Sequence, residues 1–170
     1  MTEAESKQFL GQQLGHVRIL LAKLEAESSL PVKRALTQAC LASLELGFSH
    51  YLASVFELAR PIRLLEFTSM QLPQAVAKQV ELLKLLDTES ELSWLYRLCL
   101  LAESLHYTHA AWGQHPLGAS SVGHAPSLIA SNRSFHATPH WSVANPEDIS
   151  NIASAAETFL ERYNDADQEY

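Results

Sequence analysis

The spacing of apolar residues near the start of the chain is the feature that most constrains its fold. These residues recur at steps of four, three, four and three, which lines one face of an α-helix: Leu10, Leu14, Val17, Leu21 and Leu24. Helical spacing dominates the rest of the chain as well, and no segment shows the sustained alternation of apolar and polar residues that is typical of a half-buried strand. The sequence therefore predicts an all-α protein.

Residues that typically begin or end a helix divide the chain into five predicted helices. Pro31 suits the first turn of a helix, and Pro61 disfavours the helical conformation in the residue before it. Asn145 and Pro146 form another start signal. We predict a single domain, residues 1–170, built as a mainly antiparallel five-helix bundle with a long ordered loop between helices four and five. The predicted helices cover residues 3–26, 31–59, 73–86, 88–112 and 146–164, and residues 60–72 form an irregular connection.

Helix two carries small residues every four positions, at Ala39, Ser43 and Gly47. A glycine inside a helix costs about 1 kcal/mol of stability relative to alanine. We expect the missing side chain at Gly47 to offset this cost by letting a neighbouring helix approach closely.

Helices one and four carry more apolar surface than a small bundle needs to bury. Helix four has two apolar seams, the first formed by Leu92, Leu95, Cys99 and Ala102 and the second by Trp94, Leu98, Leu101 and Leu105. A helix that is apolar on most sides belongs in the centre of a bundle or at a subunit interface. We therefore expect a homodimer, and we leave a further protein partner open.

The charges and the apolar runs exclude several partners. The net charge is −7, and residues 141–170 hold seven acidic side chains against the single basic Arg162. A nucleic-acid binder shows a basic stripe instead. The longest strictly apolar run, Leu98 to Ala102, is far shorter than a membrane-spanning helix, and charges throughout the first thirty residues exclude a signal-peptide core. We expect a soluble cytoplasmic protein without a nucleic-acid or membrane partner.

The stretch ahead of the last helix, residues 113–145, differs from the rest in composition. It holds four histidines and only one formally charged residue, Arg133, together with large apolar side chains. A loop this long in a compact domain is normally functional or disordered, and disordered segments are usually charged and poor in apolar groups. We predict a strap that lies over the bundle and covers a groove between helices; the alternative is that it reaches a second subunit.

Histidines at the end of helix four and in the strap define a candidate metal site. Imidazoles are common ligands of zinc, nickel and iron, and four would converge if the strap folds back on helix four: His106, His109, His136 and His140. Glu103 could orient one imidazole or add an oxygen ligand. The alternative is that the two helical histidines are favoured by the helix dipole and the other two are ordinary surface residues.

The sequence contains no complete catalytic motif, so we assign no catalytic residue. Cys40 and Cys99 lie mid-helix on apolar faces, which favours buried thiols over a nucleophile. The leading hypothesis is a non-catalytic interaction or regulatory protein that needs no cofactor. The alternative is a bundle that binds a divalent transition metal or a small ligand, with a hydrolase or transferase activity as an extension. Its histidine-lined pocket under the strap would be formed by Trp112, His136 and Trp141.

Overall fold

The structure is a computed structural model that describes residues 1–68, 70, 82–86, 94–112 and 140–166; the side chains of 107–112, 143 and 163–166 lie outside this description. Within these ranges the chain is mostly helical and contains no strand, as predicted. None of the described helices has the length and apolar character needed to cross a membrane. The helices are α1 (Glu3–Ala26), α2 (Leu30–Val55), α3 (Leu64–Phe67), α4 (residues 82–85), α5 (Trp94–Trp112) and α6 (Pro146–Ala166), with a 3-10 turn at Trp141–Val143.

The predicted five-helix antiparallel bundle is not confirmed, because the described residues contain six helical segments. The additional segment, α3, lies in the stretch for which the sequence predicted an irregular connection. Leu64 and Phe67 are three residues apart and both are buried, so one turn is enough to place both against the core. A single turn is too short for periodicity to reveal. Most of the predicted third helix and the start of the fourth lie outside the described residues.

The first two helices form an antiparallel hairpin. A capping box begins α1: the Glu5 N–H donates to Thr2 Oγ1 at 3.3 Å, and the Thr2 N–H donates to the Glu5 carboxylate at 2.7 Å. Phe9, near the start of α1, packs edge-on against His50, near the end of α2, with ring centroids 5.1 Å apart. Because the connection between the helices has only three residues, this contact between the start of one and the end of the other makes them antiparallel.

Gly47 lies in the contact between the two helices of the hairpin. A Cβ atom at this position would lie 2.8 Å from Leu10 Cδ1 and 3.1 Å from Gln13 Cβ. Real Cβ atoms essentially never approach other heavy atoms within 3.0 Å. The expectation that this glycine permits a close helix approach is therefore confirmed.

Helix α2 ends at Val55, four residues before the predicted end. The Leu58 N–H donates to the Ala53 carbonyl at 2.8 Å and the Glu57 N–H to the Ser54 carbonyl at 3.2 Å, which is a Schellman motif. Glu57 takes the left-handed conformation that this motif needs, with φ of 53°. Helices usually use glycine at this position, and its absence explains why the sequence suggested no end before Pro61.

The last helix begins as predicted and lies against α5. The Asn145 side chain accepts a hydrogen bond from the Asp148 N–H at 2.7 Å, as a capping asparagine does. Arg97 of α5 pairs with Asp148 at 2.7 Å, and the Trp141 N–H donates to Ser104 Oγ at 2.9 Å. The chain from Trp141 to Asp148 therefore runs backwards along α5.

The apolar stripes that led us to expect a homodimer are covered within one chain. All five stripe residues of α1 are buried, and the described seam residues of α5 are buried too, apart from the half-buried Trp94. They form one hydrophobic cluster with residues of α2, α3 and α6. The excess apolar surface inferred from the sequence is thus absent from these stripes, and a dimer would need another surface.

Candidate functional site

An open groove of about 570 Å³ lies between α2, the segment 60–63, α3 and α5. It contains one of the predicted site residues, His106. Its apolar lining consists of Ala42, Leu46, Pro61 and Ile62, and its polar lining of Glu45, Ser49, Arg60, Arg63, Glu66 and His106.

The local sequence explains why a groove forms here. Four residues of α2 line it at spacings of three and four, which places them on one helix face, turned away from the hairpin. After α2 ends, the chain turns at Glu57, and Arg63 has extended backbone with φ of −64° and ψ of 145°. Segment 60–63 lies beside this face of α2 and forms the second wall of the groove.

His106 and Glu45 form a bond across the groove, between α5 and α2. The His106 Nε2 lies 3.0 Å from Glu45 Oε2 and 3.2 Å from Oε1. An ionised carboxylate only accepts hydrogen bonds, so Nε2 carries the proton and donates it. Nδ1 is then the ring nitrogen of His106 that remains available to a metal.

Arg63 joins the segment 60–63 to α5 and α3. Its Nη1 lies 3.3 Å from Glu103 Oε1, and its Nε lies 3.7 Å from Glu66 Oε1. The sequence suggested that Glu103 orients an imidazole or adds an oxygen ligand at a metal site; its described partner is Arg63, which immediately precedes α3. Arg63 is about half exposed, so these pairs contribute at most about 1 kcal/mol each.

The outer face of α2 carries an exposed apolar seam that runs into the groove. Its residues are spaced three, four, three and four apart, as in a coiled-coil helix: Val32, Ala35, Ala39, Ala42 and Leu46. The two largest, Val32 and Leu46, are 42% and 46% exposed. We call these five residues the α2 seam.

Two arginines lie near the ends of the α2 seam. Arg34 is on the first turns of α2, and Arg60 lines the groove next to Leu46. Both are exposed. Among the described residues, no carboxylate lies within ion-pair distance of either guanidinium group.

The structure describes the predicted histidine and tryptophan sites only in part. His140 Nδ1 bonds Ser142 at 2.7 Å, and its ring lies tilted beside that of Trp141, with centroids 5.9 Å apart; Trp141 is buried against the bundle. His109 and Trp112 lie on α5, but their side chains are outside the description, as is all of His136. Of the predicted strap, residues 140–145 are described and the remainder is outside. The described contacts of His106 and His140 are with different partners, Glu45 and Ser142.

The described residues offer neither a metal cluster nor a reactive thiol. In the described ranges, no three histidine, cysteine or carboxylate side chains are grouped so that they could hold a metal ion. Burial raises the pKa of the Cys40 thiol to about 11 and that of Cys99 to about 12. At neutral pH both thiols are therefore protonated and poor nucleophiles.

Sequence reasoning missed Glu45, Leu46 and Arg63 as members of a site. The three-four spacing of the α2 seam was visible in the sequence, but Cys40, Leu41 and Leu44 gave α2 a stronger apolar face that identified only the buried side. Comparison with known proteins adds nothing to this geometry, because no protein-family description, curated protein or solved structure matches the chain.

Proposed function

We propose that the protein is a non-catalytic interaction protein that binds an acidic amphipathic helix of a partner protein along the α2 seam. The observation that carries this proposal is the seam itself: apolar side chains at coiled-coil spacing on the exposed face of a helix. Docking of a partner helix on such a face is a common mode of peptide recognition.

The sizes of the seam residues favour a helix as the occupant. The middle of the seam has only the short side chains of Ala35, Ala39 and Ala42, whereas the larger side chains of Val32 and Leu46 project at its ends. A partner helix can approach α2 closely over the alanines and place apolar residues between the two larger side chains. The groove beyond Leu46, with Ile62 on its far wall, accommodates the end of such a helix.

The charges near the seam favour an acidic partner. The carboxylate of Glu45 already bonds His106, and that of Glu66 lies near Arg63. Arg34 and Arg60 are the cations near the seam that lack a described carboxylate partner. Glutamates or aspartates flanking the apolar stripe of the partner would pair with them, which mainly confers orientation and specificity.

The state of the thiols supports a binding role over thiol-based catalysis. Cys40 and Cys99 are both protonated and buried. Both cysteines are free, as is usual for thiols kept in a reducing compartment, which fits the cytoplasmic location expected from the sequence.

A pair of designed peptides tests this function. Each is about 20 residues long, roughly 30 Å as a helix, with leucine at coiled-coil spacing. One carries glutamate and the other lysine at the remaining positions, and binding is measured by fluorescence anisotropy. We expect the glutamate peptide to bind at least about tenfold more tightly than the lysine peptide, with an affinity that falls as salt rises.

Substitutions in the protein locate the binding surface. Leu46→Glu should weaken binding of the glutamate peptide about tenfold, because it puts a charge in the seam. Leu30→Glu is the matched control, since Leu30 is 58% exposed, slightly more than Leu46 at 46%, but lies on another face of α2. Arg60→Glu should reduce the preference for the glutamate peptide. Equal binding of the two peptides, or equal effects of the two leucine substitutions, would contradict the proposal.

The histidine metal site remains a separate prediction, and a metal analysis tests it. Untagged protein is purified without chelator, and its zinc, nickel and iron content is measured. A stoichiometric metal that is lost in both His106→Ala and His109→Ala would favour the metal-binding alternative. Metal below stoichiometry in the unsubstituted protein would remove it.

A further inference from the structure

The outer face of α1 is exposed along its whole length and has few large side chains. Most of its centre consists of small residues, with Gln8 as the longer polar side chain among them; the small residues are Ala4, Gly11, Gly15, Ala22 and Ala26. Nothing lies within 4 Å of the Cβ position at either glycine, in contrast to Gly47. Ile19, the one large apolar residue on this face, is 58% exposed.

Opposite charges lie along both edges of this face. Glu5 and Lys23 are eighteen residues apart, which is five turns of a helix, so they share one edge. Lys7 and Glu25 are also eighteen residues apart and share the other edge. On both edges an acid and a base therefore lie at opposite ends of α1, and their order is reversed between the edges. The second edge also carries Glu3, beside Lys7, and Arg18, which pairs with Glu157 of α6.

We infer that α1 pairs with the α1 of a second copy of the chain, antiparallel and with Gly15 on the two-fold axis. A two-fold axis of this kind brings each edge against the same edge of the partner. Glu5 lies ten residues before Gly15 and Lys23 eight residues after it, so Glu5 faces the partner's Lys23 with a stagger of about 3 Å. Lys7 faces the partner's Glu25 with the same stagger. The face is thus complementary in charge to itself, as an isologous interface requires.

The same register provides a place for the exposed isoleucine. Ile19 lies four residues after Gly15 and Gly11 four residues before it, so Ile19 lies over the partner's Gly11. The open space at Gly11 receives the side chain. A parallel pair would instead place Ile19 beside the partner's Ile19 and would align the two helix dipoles unfavourably.

Cysteine cross-linking tests both the dimer and its direction. In Gly15→Cys the new thiols meet at the axis, so mild oxidation should give a disulfide-linked dimer. In Gly11→Cys the two thiols lie about 12 Å apart along the helices and should not join. The native Cys40 and Cys99 are buried and do not compete. Equal cross-linking of both variants would overturn the antiparallel register.

Charge swaps combined with sedimentation or light scattering test the interface by another route. The native chain should be a dimer, twice the 18.9 kDa mass of one chain. Lys7→Glu should weaken the dimer about tenfold, because it places like charges together twice per dimer. Adding Glu25→Lys should restore it by exchanging the pair. Lys33→Glu, on α2, is the control that leaves the dimer intact.

The outcomes separate this inference from the proposed function. Leu46→Glu should leave the dimer unchanged, and Lys7→Glu should leave binding of the glutamate peptide to the α2 seam unchanged. A native chain that stays monomeric at every concentration, with helicity intact by circular dichroism, overturns the dimer; any other protein that Gly15→Cys then captures would be the occupant instead.

Discussion

The two sides of α2 meet their surroundings in different ways. On the side away from the groove the contacts are apolar and close: Leu44 and Phe48 are fully buried, and a Cβ atom at Gly47 would lie 2.8 Å from Leu10 Cδ1 of α1. Toward the groove, the described contacts are hydrogen-bonded charges, such as Glu45 with His106, while Leu46 remains half exposed. Burial on one side provides folding free energy, whereas the other side keeps apolar surface available for a partner.

The largest expected difference comes from the same substitution made on each side of α2. Leu44→Ala should lower the free energy of unfolding by about 2–5 kcal/mol, because it removes a fully buried side chain and leaves a cavity. Leu46→Ala, two residues away, should change it by no more than about 0.5 kcal/mol. Urea unfolding followed by circular dichroism measures both. Similar losses at the two positions would mean that the seam belongs to the core.

A second test concerns the close approach of α1 and α2 at Gly47. Gly47→Val should lower the free energy of unfolding by about 1–3 kcal/mol, because its side chain overlaps Leu10 and Gln13 of α1. Gly11→Ala is the matched control on the open face of α1. In dilute solution it should raise stability by up to about 1 kcal/mol, since alanine favours the helix and nothing opposes it. A destabilised Gly11→Ala would show that this face is covered within the monomer.

The sequence predicted the hairpin far better than the groove. The stripe from Leu10 to Leu24 and the small residue at Gly47 are local sequence features that indicate which face of a helix is buried. In the structure the stripe is buried and Gly47 lies against α1, as expected. The bond between His106 and Glu45 joins residues that are 61 positions apart. No periodicity within one helix contains that information, because it depends on how α5 lies relative to α2.

The same limit applies to Glu103, whose described partner the sequence did not indicate. Its position three residues before His106 placed both on one helix face, which made an interaction between them reasonable. The described partner, Arg63, is 40 positions away and immediately precedes α3, a single turn that is too short to be visible in the sequence. The spacing along one helix thus indicated a plausible neighbour of Glu103, but the packing of different helices determines which residue it contacts.

A smaller effect is expected where the chain leaves the hairpin for the groove. Glu57 holds a left-handed conformation, which costs a residue with a side chain about 1–2 kcal/mol relative to glycine. Glu57→Gly should therefore raise the free energy of unfolding by about 0.5–1 kcal/mol, after the greater flexibility of glycine in the unfolded chain is subtracted. Glu57→Ala should give no such gain. A loss of stability in Glu57→Gly would show that the glutamate side chain itself supports the turn.

The smallest expected effect is a pH dependence at the turn of the hairpin. The backbone N–H groups of Ser29 and Ser28 donate to the Glu27 carboxylate at 2.7 and 2.8 Å, and these bonds lower the pKa of its carboxyl group below the ordinary value. Because the folded-state pKa is the lower one, the stabilisation is present above the ordinary pKa and is lost as the pH falls through the folded-state value. Glu27→Gln keeps an acceptor but cannot titrate, so its stability should fall less between about pH 5 and pH 3. Glu5→Gln should behave alike, since the Thr2 N–H lowers the pKa of Glu5 in the same way. Unfolding curves that keep the full acid dependence in both variants would assign the acid-sensitive contacts to other carboxylates, such as Glu157 or Asp148.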